Sequence, residues 1–132
     1  MIGLGTNVLV RYLAQDDPAQ SPKATELLEH RLTEDDPGFV SVVAMVETAW
    51  VLERAYGLTD DVIAAAIERT LQADVLVVES EQAVFTAMIA LKEGRGSFAD
   101  ALIGALGITA GCSRTLTFDA KAARLPGVEL LS

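Results

Sequence analysis

The chain has 132 residues, 51% of them apolar and 22% charged, which is the make-up of one globular domain and excludes a disordered tail. Its single cysteine, Cys112, excludes an intramolecular disulfide, and no segment reads as a signal peptide or membrane span, so a cytoplasmic setting is expected. A net charge of −9 excludes a domain that binds nucleic acid through overall basic charge. It leaves open acids gathered around a cation, because a loaded carboxylate cluster attracts phosphate.

Met1 to Leu4 is a short apolar run that predicts a buried strand. Thr6 to Leu13 has Val8, Leu9, Tyr12 and Leu13 at helical spacing, and Asp16-Asp17-Pro18 breaks it. Pro22 to Thr33 predicts an amphipathic helix, and Asp35-Asp36-Pro37-Gly38 a turn. Gly38 to Ser41 is a short strand candidate. Val42 to Tyr56 predicts an almost wholly apolar helix stopped by Gly57. Thr59-Asp60-Asp61 is expected to cap a further helix to about Leu71. Val75 to Val78 is mostly β-branched and predicts a buried strand. Two helices follow, Glu81 to Lys92 and Phe98 to Ala110, with the breaker Gly94-Arg95-Gly96 between them. Thr115 to Phe118 predicts a strand, Asp119 to Arg124 a short helix, and Val128 to Leu131 a last strand.

Strands alternating with helices predict a single α/β domain over 1–132, a three-layer α/β/α sandwich around a central parallel sheet of about four to five strands. Sites in such folds form beyond the carboxyl ends of the strands. Three acids then stand out. Glu47 is the only charged residue between Val40 and Leu52. If it is buried there it needs a partner, since an unpaired buried carboxylate costs several kcal/mol. Asp100 is alone in the apolar run Phe98 to Leu106, near its start, where an acid complements the helix dipole, although Ser97 is better placed as the cap. Asp119 directly follows a strand and opens a helix, so capping is its plain alternative. There is no Gly-rich phosphate loop, nucleophile elbow or Cys/His zinc pattern. The one histidine, His30, is expected on an exposed face. Lys92, Arg95, Arg114, Lys121 and Arg124 concentrate basic charge in the C-terminal part, as either an RNA footprint or ordinary surface pairing.

Four segments in order carry a family resemblance. Ile2-Gly3-Leu4-Gly5-Thr6-Asn7-Val8-Leu9 resembles the opening strand, Asp-Thr-Asn and apolar helix of PIN domains. Val46-Glu47-Thr48, Phe98-Ala99-Asp100-Ala101-Leu102-Ile103 and Leu116-Thr117-Phe118-Asp119 resemble the later acidic motifs. Together they run the length of the chain and are most similar to the VapC toxins of type II toxin–antitoxin pairs. The resemblance implies an endoribonuclease using Mg²⁺ or Mn²⁺, with Glu47, Asp100 and Asp119 as catalytic and metal-binding acids and Thr6, Asn7 and Thr117 in support. It also implies an RNA substrate, a cognate antitoxin, a homodimer and no membrane association. Hard carboxylate oxygens suit such ions, which activate water and stabilise charge on a phosphate.

Gly5 departs from the pattern, because it occupies the position of the family's first aspartate and offers no ligand. The expectation is weak metal binding and impaired cleavage. Asp16, Asp17 and Ser97 are the nearest substitutes by sequence, and the alternative is that Gly5 eases a tight strand-to-helix turn. A catalytically inactive PIN-like protein acting through antitoxin or RNA binding is the second reading.

Overall fold

A computed structural model describes residues 1–132 in full. The first strand, β1 (Ile2–Gly3), leads into α1 (Thr6–Ala14) and α2 (Gln20–Glu26), which runs on into a π turn at Leu27–Arg31. Then come β2 (Gly38–Val40), α3 (Val42–Arg54), α4 (Asp60–Gln72), β3 (Leu76–Val78), α5 (Glu81–Lys92) and α6 (Phe98–Thr109). The chain closes with β4 (Thr115–Thr117), a 3₁₀ turn at Ala122–Arg124 and β5 (Val128–Leu130).

All strand pairing is parallel, as the alternation of elements requires, and the domain is α/β. The five strands form two ladders, however: β1-β2-β3 and β4-β5. The expected single sheet is therefore two ladders with no pairing between them. Strand β1 is only two residues long, and both Ile2 and Gly3 are exposed. Met1 to Leu4 is thus not a buried strand, and of the four only Leu4 enters the core. In the Val75 to Val78 run only Val78 is buried, because β3 is an edge of its ladder.

The core is built by Leu9, Met45, Leu52, Ile67, Met88 and Leu102 among others, one or more from each long helix. Gly38 sits where β2 passes between its neighbours. A Cβ there would lie 2.9 Å from a Leu32 methyl and 3.0 Å from methyls of Leu4 and Leu76, so only glycine leaves room. Helix α3 ends as its sequence predicts. Gly57 is left-handed at φ 63°, and the amides of Gly57 and Leu58 donate to the carbonyls of Glu53 and Leu52, satisfying two carbonyls of the last turns. Thr59 precedes α4 but its hydroxyl makes no capping bond; Asp60 and Asp61 instead complement the dipole from the first turn.

Two side chains make the fold's energetics testable. The Thr48 hydroxyl is buried on α3 with no hydrogen-bond partner. Leaving such a group unsatisfied costs about 1–3 kcal/mol. Thr48→Val keeps the shape and removes the penalty, so urea melts should show it more stable by about 1 kcal/mol; a less stable variant would mean the hydroxyl has a partner. Asp17 accepts hydrogen bonds from the amides of Ala19 and Gln20 at the start of α2, and these bonds hold its pKa below the ordinary 3.8. Ionised Asp17 therefore stabilises the fold above that value, and the contribution is lost as pH falls through the lowered pKa. Thermal melts should place Asp17→Ala below the parent at pH 7, with the two curves converging below pH 3.8.

Candidate functional site

The carboxyl end of β1 delivers Gly5 and Thr6, and the carboxyl end of β2 delivers Ser41 and α3. The N-terminus of α3 is fixed twice. Ser41 Oγ accepts the Ala44 amide at 3.1 Å, and Glu79, just after β3, accepts the Val42 amide through Oε1 at 2.9 Å. With α3 so aimed, the Thr6 hydroxyl donates to Glu47 Oε1 at 2.8 Å across 41 positions of sequence. The second acidic motif is thereby joined to the residue beside Gly5.

Glu47 is exposed, so the condition set for a buried carboxylate does not arise and the side chain leans out at the rim. One face of α3 is open: Val43 is 64% and Trp50 57% exposed, with Glu47 between them and Arg54 a turn beyond. The Arg54 guanidinium lies 5.5 Å from the centroid of the Trp50 ring. Glu47, Trp50 and Arg54 open onto a cleft of about 670 Å³ whose lining also includes Ser97 and Lys121. Glu53 and Asp60 also line it, so the cleft carries charges of both signs.

Asp100 is half-buried in the first turn of α6, where Ser97 Oγ accepts its amide at 3.1 Å; Ser97 is the cap. Asp119 is exposed after β4. Its amide donates to Thr117 Oγ1 at 3.0 Å, and its Oδ1 accepts the Lys121 amide at 2.8 Å, which starts the turn into Ala122–Arg124. Neither Asp100 nor Asp119 lines the cleft that Glu47 enters, although Ser97 and Lys121 beside them do. None of the three acids is in an ion pair. No three acidic, histidine or cysteine side chains are grouped closely enough to hold one metal ion. The residues present therefore do not form a complete site for a divalent cation.

Gly5 is an extended N-cap at φ −76° and ψ 159°, a conformation open to any residue, so no tight turn demands glycine. A Cβ at this position would meet only Asn7 Oδ1, at 3.3 Å, the end of a mobile side chain. The substitutes suggested by sequence are engaged elsewhere: Asp16 with Arg11 at 3.4 Å, Asp17 with the start of α2, and Ser97 with α6. Glu79 was not singled out from sequence. An acid directly after a strand was the signal that could have found it.

In a parallel α/β domain, sites form beyond the carboxyl ends of the strands, which here carry Thr6 after β1, Ser41 after β2, Glu79 after β3 and Asp119 after β4. The chain belongs to the PIN-domain family, whose model matches residues 4–128. PIN domains are generally nucleases, many of them in toxin–antitoxin pairs and typically dependent on divalent metal. No protein of curated function matches the chain significantly in sequence.

The Thr6–Glu47 bond is testable by itself. Thr6→Val should lower stability by about 1 kcal/mol or less, since the bond is exposed, while Thr6→Ser should match the parent in urea melts. Equal stability of all three would mean the contact holds nothing.

Proposed function

We propose that the chain is a toxin of the VapC type, an RNA-directed PIN nuclease whose metal site is left incomplete by Gly5. The observation that carries this reading is the hydrogen bond from Thr6 to Glu47, which puts the second motif's acid beside the empty first-motif position. An aspartate at position 5 would add a carboxylate next to that pair and needs only a small shift of Asn7. It would also supply α1 with the side-chain cap it lacks. Glu47, Asp100 and Asp119 are the acids proposed to serve Mg²⁺ or Mn²⁺ once that carboxylate is present, with Thr6 and Thr117 orienting two of them. Asn7 is proposed to support the site from beside position 5.

Exposed Val43, Trp50 and Ile103 support burial against a second protein, for which a cognate antitoxin or a second copy of the chain is proposed. No helix is long and apolar enough to cross a membrane, which accords with the proposed cytoplasmic setting.

Gly5→Asp tests the reading. Mg²⁺-dependent cleavage of RNA should rise by about tenfold or more over the parent, in line with the roughly 10–100-fold effects of weakening a metal site's surroundings. Asp100→Asn in the Gly5→Asp background should remove the gain. Equal cleavage by parent and Gly5→Asp would overturn the proposal.

A further inference from the structure

Arg11, Lys23 and Arg31 are far apart in sequence, yet all three line one cleft of about 290 Å³ between α1 and α2. No acid is among its lining residues. In a chain of net charge −9 with ten Lys and Arg, three of the ten thus face one concavity unopposed within its walls. The other large clefts differ. The one at Glu47 mixes both signs, and that between α5 and α6 has Arg95 as its only charge, itself held by Glu93 at 3.0 Å.

The backbone is shaped to gather these cations. Lys23 and Arg31 are eight residues apart, so a continuous α-helix would turn them about 80° from one another around its axis. The π turn, with the Leu32 amide donating to the Leu27 carbonyl, takes in an extra residue and swings Arg31 back toward the Lys23 face. Lys23 and Arg31 are exposed and in no ion pair. Arg11 is held in place: its Nε donates to Gln20 Oε1 at 2.8 Å, and its Nη1 donates to the Tyr56 hydroxyl at 2.9 Å and more distantly to Asp16. The far wall is Asn7, the residue whose Oδ1 lies against the Cβ position of Gly5.

We infer that this cleft binds the phosphodiester backbone of a single RNA strand leading away from the Thr6–Glu47 end of the domain. Val8, Ala24 and Leu27 supply an apolar floor for sugar or base, and the three cations take successive phosphates. The inference rests on the RNA-directed reading above and names where the strand lies. Within the C-terminal basic group Arg95 and Arg114 are paired with Glu93 and Glu129, while Lys92, Lys121 and Arg124 are in no ion pair.

The test is fluorescence anisotropy with a 5′-labelled mixed-sequence single-stranded oligoribonucleotide in EDTA, so that cleavage plays no part. Lys23→Glu/Arg31→Glu should weaken binding at least tenfold and reduce the slope of log affinity against log salt by about 1.4, two phosphates at roughly 0.7 each. Lys92→Glu/Arg114→Glu, matched in charge, should cost much less. Circular dichroism melts should show both doubles folded, as expected for exposed positions. No binding by the parent at low salt, or equal losses in the two doubles, would overturn the inference. So would polyglutamate competing as well as RNA of equal charge, which would mark a seat for an acidic protein segment. Binding lost only in the Lys23/Arg31 variant, with Gly5→Asp still unable to cleave, would keep the RNA site and sink the nuclease reading alone.

Discussion

A hydroxyl and a carboxylate brought together from the two ends of the first βα crossover hold the site region in register. Thr6 can reach Glu47 only because β1 and β2 are parallel neighbours, with Ile2 opposite Gly38 and Gly3 opposite Phe39. That pairing puts both strand ends at one edge of the domain. Helix α3 must then leave β2 in one direction, and Ser41 and Glu79 fix it by satisfying two of the amides that every helix leaves open at its start. Glu79 makes its bond from the end of β3, so all three strands of the larger ladder contribute to the placement of Glu47. The hydrogen bond is exposed and modest in energy, but its geometry depends on the whole ladder.

The acids of the later motifs stand apart from one another. Glu47, Asp100 and Asp119 are free of ion pairs and so remain available. They do not form a cage, and Asp119 spends one oxygen on the Lys121 amide. A cation site made of carboxylates needs several of them close together, and their mutual repulsion is tolerable only around an ion. Glycine at position 5 adds no carboxylate beside Glu47, and its ordinary backbone conformation does not itself require glycine.

Charge distribution matters more than net charge for what this surface can meet. Acids outnumber bases by nine, which disfavours a polyanion at long range. Within about a Debye length, roughly 8–10 Å, local groups dominate. The walls of the α1–α2 cleft carry three cations and no acid, with Asp16 outside them at 3.4 Å from Arg11, and the cleft at Glu47 is mixed.

Periodicity and punctuation were enough to place every helix, the parallel strands and the Gly57 stop, because helix and strand spacing and glycine's left-handed backbone are local properties. The four motif segments in order were enough for the family. Three things were beyond any local pattern. The exposure of Glu47 depended on which face of an apolar helix the fold leaves open. The division of the strands into two ladders depended on which backbones meet once the chain is folded. The gathering of Arg11, Lys23 and Arg31 depended on a π turn and on the packing of α1 against α2. Each is a relation between residues distant in sequence, and only the folded chain sets the distances on which burial, hydrogen bonding and charge act.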